Sequence, residues 1–460
     1  MLFSSVLFLF KFLPIVLVGN FIFQRTFRNL FLLISSLFFY FWGEEMGIFI
    51  MLISIGINYL SGIALDRIQA KKAVLIASIV LNLGLLVFYK YFYFLTDLFS
   101  IQIDLGEIAL PLGISFFTFQ GLSYVIDVYK GEVEVQKNPL NIALYISLFP
   151  QLIAGPIVRY KDISNQITSR NITESQFVSG IKKFIRGLFK KVVIANNVGL
   201  IADLIMVQTN AYDLPLSMAW LGIISYTLQI YFDFSGYSDM AIGIGRMLGF
   251  NFKENFRHPY FSFSIREFWR RWHISLSTWF RDYLYIPLGG NRKGKWRMYF
   301  NLVLVFFLTG LWHGASWNFV LWGMIHGLFL ILERFINLEK KQTRILSYCY
   351  TMLVVTFAWV FFKIENFDHA GKFLQQLIGI GETGNSYYAL LFLNNYVLII
   401  YALALLFVFP TRKWIKSKLR RAYPNFWFQY LNLATYMGVL IFTIIELSMS
   451  NYNPFIYFRF

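Results

Sequence analysis

The chain has 460 residues, 57% hydrophobic and 20% aromatic, with a formal net charge of +17 and one cysteine. A soluble protein this apolar could not cover its surface, so the composition points to an all-α polytopic membrane protein, and the length allows about ten to twelve spans. One cysteine excludes a disulfide framework or a cysteine metal cluster. Basic residues scattered in short clusters between apolar runs fit the positive-inside rule rather than nucleic-acid binding.

In chain order, residues 1–24 carry one charge, Lys11. They lack a basic leader and a small-residue cleavage site, so a retained first span is predicted. Arg25 and Arg28 put its far end on the cytoplasmic side. Segments 30–42 and 46–65, parted by Gly43, Glu44 and Glu45, read as an outward hairpin returning at Arg67, Lys71 and Lys72. Segment 73–99 leads out to Asp104 and Glu107, and 108–129 leads back to Lys130 and Lys137. Segment 139–157 holds Pro150, Gly155 and Pro156 near its end and has basic residues on both sides. It reads as a re-entrant segment that lines a cavity, because non-helical backbone at membrane depth must be buried in protein or line one.

Segment 173–195 carries Lys182, Lys183, Arg186, Lys190 and Lys191, the spacing of an interfacial amphipathic helix running into a span. Segment 198–207 continues outward and 214–232 returns. Asp233 and Asp239 follow in an apolar context with Ser235, Tyr237 and Ser238. Buried carboxylates need partners, and arginines or the histidines are the expected ones. Further on, 334–344 and the dense basic run 412–421 read as cytoplasmic loops, the second as a surface helix on anionic lipid. Spans are expected at 347–362, 387–409 and 426–447. Cys349 is expected to be packing.

The chain is organised around residues 266–327. At 100° per residue, Ile265, Phe268, Trp269, Trp272, Leu276, Trp279, Phe280 and Tyr283 fall on one apolar stripe of a helix. Arg266, Arg270, His273, Ser277 and Arg281 fall on a second stripe. A helix at the bilayer surface with arginines on lipid phosphates accounts for part of that pattern. It leaves unexplained an imidazole in the middle of the arginine row, and guanidinium groups beside it make a binding face for a phosphorylated ligand. After the PLGG loop and a second basic cluster comes His313, inside an apolar run. An ionisable residue at membrane depth is costly and marks a functional candidate. His326 lies thirteen residues on, about 20 Å away on a continuous helix. Pairing with His313 therefore needs a break, at Gly314 or Gly323. His258 and His369 read as loop residues.

The stretches REFWRRWHISLSTWFRDYLYIPLGGNR and GLWHGASWNFVLWGMIHG, with PLGISFFTFQGLSYVIDVYKGE and FPQLIAGPIVRY before them, resemble the membrane-bound O-acyltransferase superfamily. The resemblance is strongest to the bacterial branch of alginate and peptidoglycan O-acetyltransferase membrane subunits, and it covers about residues 107–330. It implies one integral-membrane domain over 1–460, with helices around a central tunnel. It makes His313 the catalytic residue of the WHG motif and His273 the second family position. It also implies core-lining roles for DFSGYSD, with Trp312, Asn318 and His326 as further candidates. The implied donor is acetyl-CoA or another acyl thioester, with no bound cofactor. The implied setting is a bacterial inner membrane, with membrane lipids and a periplasmic or extracellular acyltransferase as partners and no nucleic acid.

Three readings stay open: an O-acetyltransferase subunit, a D-alanyl transfer protein fed by a carrier, and a proton-coupled transporter, which lacks the paired inverted repeats of that class. No histidine pair shows the short spacing of a helical metal site. A chelator-washed preparation is therefore expected to keep full activity. Stoichiometric zinc lost together with activity would overturn that expectation.

Overall fold

A computed structural model describes residues 1–106, 108–208, 214–336, 343–380, 389–411, 417–418, 425–450, 452–454 and 456. Their regular secondary structure is entirely helical, without strands. In order the helices are α1 (Leu13–Ile22), α2 (Arg25–Phe41), α3 (Gly47–Arg67), α4 (Lys71–Leu86), α5 (Phe92–Leu98), α6 (Ile114–Tyr129), α7 (Pro139–Ser147), α8 (Phe149–Leu152), α9 (Tyr160–Thr168) and α10 (Glu174–Phe189). They continue as α11 (Asn196–Asp203), α12 (Leu216–Met247), α13 (Ile265–Arg271), α14 (Ile274–Phe280), α15 (Lys295–His313), α16 (Trp317–Ile336), α17 (Arg344–Lys363), α18 (Phe367–Leu377), α19 (Asn395–Val408) and α20 (Asn425–Met449).

Among the described residues five helical runs are long and apolar enough to cross a membrane: Gly47–Arg67, Lys71–Leu98, Trp317–Phe335, Arg344–Lys363 and Trp427–Met449. Three shorter apolar helices, Phe8–Ile22, Phe27–Phe41 and Asn395–Val408, add to these. Dividing length by span also counts helices such as α6, whose buried positions include Ser115, Thr118, Gln120, Ser123 and Asp127. Helices of that kind face protein rather than lipid.

The chain forms two compact units, Met1–Phe184 with Tyr237–Glu254, and Ile185–Gly236 with Asn255–Phe460. In the first unit the segment predicted to be broken is broken. Helix α7 stops at Leu148, where ψ is 109° and the chain turns into the short α8. The buried backbone this exposes is served by side chains, as apolar surroundings demand. Ser36 Oγ accepts from Phe149 N at 3.2 Å, Gln151 Nε2 donates to the Tyr145 carbonyl at 2.6 Å, and Tyr145 Oη donates to the Val158 carbonyl at 3.0 Å.

The carboxylates of DFSGYSD have partners, but not the expected ones. In the first unit Lys183 lies 2.9 Å from Asp239 and 2.9 Å from Glu254. In the second, Lys191 lies 2.7 Å from Asp233, with both side chains at least 97% buried. Lysines of the basic amphipathic segment therefore turn inward as counter-charges. Glycines make this reach short. A Cβ on Gly180 would stand 2.7 Å from the Gly243 carbonyl, and one on Gly236 would stand 2.8 Å from the Gly187 carbonyl. Within each unit the glycine contact and the ion pair follow one antiparallel register.

Other expectations are corrected. Segment 214–232 does not end before DFSGYSD; α12 runs on to Met247. Cys349 is exposed rather than packed. His369 is not in a loop but in the first turn of α18, where the Asn366 side chain accepts from its backbone N–H at 2.9 Å. Most of the basic run 412–421 lies outside the described residues.

Removing one member of a buried ion pair strands the other charge and costs about 3–5 kcal/mol, whereas replacing both by apolar groups is often neutral. Lys191→Met is expected to lower the unfolding midpoint in detergent sharply. Lys191→Met combined with Asp233→Leu should recover most of the loss. Equal midpoints for wild type and the single variant would remove the ion pair from the account of stability.

Candidate active site

The predicted helix over 265–283 is two helices. Ser264 caps α13 by accepting from Glu267 N at 3.0 Å, and the Glu267 carboxylate accepts from Phe263 N at 2.8 Å. A second carboxylate, the buried Glu333 of α16, accepts from Ile265 N and Arg266 N at 2.5 and 3.1 Å. It neutralises the positive end of α13. The helix then stops, because His273 adopts a left-handed conformation with φ 43° and ψ 54°. Such a conformation costs a non-glycine residue about 1–3 kcal/mol and is held by its surroundings. Asn255 does the holding: its carbonyl accepts from Ile274 N at 2.9 Å, and its Oδ1 accepts from Ser275 N at 3.1 Å.

This break moves one residue between the two predicted stripes. All eight apolar-stripe residues are buried, as expected. His273 leaves the arginine row and is fully buried. Its ring meets Phe234 edge-on at 4.6 Å, Trp312 at 5.9 Å and His313 at 6.5 Å between centroids. Neither ring nitrogen has a hydrogen-bond partner in another described residue. His273 lies outside the five candidate spans. Burial pushes its imidazole well below the ordinary value, so it is neutral.

His313 is the last residue of α15, and Gly314 follows with extended backbone. Its ring stands edge-on to Trp312 at 4.9 Å, Trp322 at 5.1 Å and Phe362 at 5.1 Å. The chain breaks over 314–316, and α16 returns against α15. Contact is backbone to backbone: a Cβ on Gly310 would stand 2.4 Å from the Phe319 carbonyl, and one on Gly323 would stand 2.3 Å from the Phe306 carbonyl. The break expected at Gly314 therefore brings His326 to the same indole, Trp322, at 5.2 Å. Trp269 at 5.2 Å and the parallel ring of Phe268 at 6.0 Å complete its surroundings. Three buried imidazoles thus share an aromatic wall.

Of the other predicted residues, Trp312 lies at the site, and Asn318 is buried in the first turn of α16 with its amide donating to the Ile364 carbonyl. Asp233 and Ser235 flank Phe234 on α12. Asp233 does not orient an imidazole; its carboxylate is held by Lys191 and by the Ile456 N–H at 2.9 Å. Tyr237 and Asp239 belong to the first unit, where Tyr237 stacks on Phe3 at 4.5 Å. The arginine row does not converge on one anion site. Arg270 is exposed, Arg266 and Ser277 are partly buried, and Arg281 pairs with its neighbour Asp282 at 2.7 Å. Sequence reasoning missed Phe234, Trp322, Phe362, Asn255, Glu333 and Lys191. A lysine inside the apolar run KKVVIANN was the one readable signal.

The arrangement offers imidazoles, His273 among them neutral, to a polar group that enters a water-poor, aromatic environment. It is suited to moving a proton at a bound hydroxyl or thiol.

A family model described as "MBOAT, membrane-bound O-acyltransferase family" matches residues 133–367. A probable alginate O-acetylase of Pseudomonas putida is 39% identical, with 100% of both chains covered. A peptidoglycan O-acetyltransferase of Helicobacter pylori is 38% identical over 83% of this chain and 80% of its own. A teichoic acid D-alanyltransferase of Bacillus subtilis is 30% identical over 56% of this chain and 70% of its own.

Two measurements test the geometry. A depressed histidine pKa makes the unfolded state the better proton binder, so its contribution is complete above the ordinary value of about 6.5 and is lost as pH falls below it. The folded protein should lose stability on that acid side, and His273→Gln should flatten the loss. Gly310→Ala, which meets fixed backbone, is expected to cost about 1–3 kcal/mol. Gly84→Ala meets nothing within 4 Å and should be neutral or mildly stabilising. Equal midpoints for the two glycine variants would sink the close-packing account.

Proposed function

This chain belongs to the membrane-bound O-acyltransferase family and is a multi-pass membrane acyltransferase, and from that premise we propose its reaction. It moves an acetyl group from a cytoplasmic thioester, acetyl-CoA by class, across the bacterial inner membrane to hydroxyls of an exported polysaccharide or peptidoglycan. The observation that carries the reading is the pair of buried imidazoles, His273 and His313, 6.5 Å apart inside one aromatic wall. The relatives that align over more than four-fifths of this chain are named for O-acetylation, while the D-alanyl relative aligns over 56% of it. That difference favours acetyl over D-alanyl.

A thioester is already activated, so the protein has to position donor and acceptor and move one proton. His313, as a neutral base, takes the proton of the acceptor hydroxyl while its oxygen attacks the thioester carbonyl. A C–O bond forms, the C–S bond breaks, and the imidazolium returns the proton to the leaving thiolate. His273, neutral and locked by the Asn255 contacts, donates a hydrogen bond to the thioester carbonyl oxygen or orders the donor's arm. Arg270 and Arg281, both exposed, with the partly buried Arg266 and Ser277, steer the donor's phosphates from the surface rather than from a built pocket. A periplasmic or extracellular acyltransferase completes delivery to the polymer.

Removing a general base typically costs about 10²- to 10⁴-fold in rate. His313→Ala should lose nearly all transfer while still binding donor. His273→Ala should raise the apparent donor KM as well as lower the rate. Wild-type turnover should fall on acidification, as the base becomes protonated. Donor binding and turnover are to be measured for both variants in the same detergent. Full turnover in His313→Ala with loss in His273→Ala would reverse the two roles, and full turnover in both would end this reading of the site.

A further inference from the structure

The first unit holds a buried guanidinium beside a partly buried one, remote in sequence from the histidines. Arg170, in the link between α9 and α10, is 91% buried. Its Nε donates to the Leu248 carbonyl at 3.2 Å, just past the end of α12, and its Nη1 donates to Asn29 Oδ1 at 2.6 Å. The ring of Phe250 lies 4.6 Å from its Cζ. Nη2 is buried without a hydrogen-bond partner among the described residues.

Asn29 is the fifth residue of the 17-residue α2, so the guanidinium lies against the N-terminal part of that helix. The preceding residue, Arg28, has its own Nε buried and likewise without a partner. The residue before α2, Gln24, makes no capping hydrogen bond with its side chain. The two guanidiniums are close enough that the Arg28 charge, after burial, helps push Arg170 down to about 10. Among the described residues no carboxylate forms an ion pair with either arginine. In the same unit Asp162 pairs with Arg159 and Lys253, and Glu254 with Lys183 and Arg246.

Two adjoining cations beside the positive end of a helix repel one another, and burial raises the cost. The Leu248 carbonyl and Asn29 Oδ1 serve Nε and Nη1 and leave Arg170 Nη2 and Arg28 Nε without a hydrogen-bond partner among the described residues. A phosphate oxyanion supplies what is missing: negative charge, several acceptor oxygens, and a geometry that a guanidinium fork matches. A helix N-terminus adds to the attraction. We propose that Arg28, Arg170 and the N-terminus of α2 form a phosphate-binding site in the first unit, filled by the headgroup of an anionic phospholipid or by a soluble phosphate ester.

The test uses the full chain in detergent, with binding read by native mass spectrometry and by the thermal unfolding midpoint. One arm adds phosphatidylglycerol, with zwitterionic phosphatidylcholine as the control. The other adds inorganic phosphate and, separately, coenzyme A. Arg28→Gln carries the test, because the Arg28 side chain makes no hydrogen bond that the fold relies on. Arg170→Gln is secondary, since it also uncaps Leu248 and Asn29. Arg67→Gln, at the exposed end of α3, controls for general surface charge.

The expected result is phosphatidylglycerol binding that raises the midpoint and weakens about tenfold in Arg28→Gln but not in Arg67→Gln. The same Arg28 dependence seen only with phosphate or coenzyme A upholds the site and assigns it to a soluble ester. Binding that is equal in wild type and Arg28→Gln in both arms, or that falls equally in Arg67→Gln, overturns the proposal.

Discussion

The close approach of α15 and α16 is the constraint on which the histidine site depends. Gly310 and Gly323 let two backbones meet where any Cβ would collide with a carbonyl. Small residues at helix crossings are how membrane helices pack tightly without a hydrophobic driving force between them. Because the helices touch there, the chain must reverse within residues 314–316, and the reversal leaves His313 at a helix end rather than mid-helix. The same crossing sets His326 against Trp322, which also meets His313. Two residues thirteen apart in sequence thus share one indole.

A second constraint works alongside it. Polar groups inside apolar helices are expensive and need partners. Asp233 is fixed by Lys191, and the adjoining Phe234 presents its ring to His273. Glu333 sits under the start of α13 and fixes where that helix begins, while Asn255 fixes the break at His273. Charge therefore positions aromatic surface, and aromatic surface encloses the imidazoles. The His273 and His326 rings are enclosed by aromatic neighbours, and their nitrogens have no hydrogen-bond partner in another described residue. That leaves their nitrogens for an incoming group.

The sequence was most legible where burial alone decides. The stripe from Ile265 to Tyr283 is buried at every position, since helical periodicity survives a single break when both halves pack on the same core. The break over 139–157 was readable because prolines and glycines state it directly. The polar stripe was not readable. Periodicity assumes constant φ and ψ, and one left-handed residue at His273 rotates it off the row. Nothing in the triplet Trp-His-Ile announces that conformation; it is imposed by Asn255, a residue eighteen positions earlier. The lysine counter-charges were missed for a similar reason. A lysine on an amphipathic helix reads as interfacial unless the facing helix is known to carry an aspartate in register.

The arginine row illustrates how charge count and charge placement differ. In sequence, Arg266, Arg270 and Arg281 look like one phosphate-binding face, yet Arg270 is exposed and Arg281 is paired with Asp282. Exposed guanidiniums attract anions over a Debye length of about 8 Å at physiological salt, but they discriminate little between them. A donor that carries several phosphates gains encounter rate from such a row, while its acyl group is read only where water is excluded. In the proposed reaction, selectivity for the acyl chain therefore falls to the aromatic wall around His273 and His313. Trp312, Trp322 and Phe362 stand edge-on to the His313 ring at 4.9 to 5.1 Å. In the proposed reaction a long acyl chain would have to displace these packed rings, at a cost of the order of 1–3 kcal/mol for overfilling a core, and a two-carbon group would displace less.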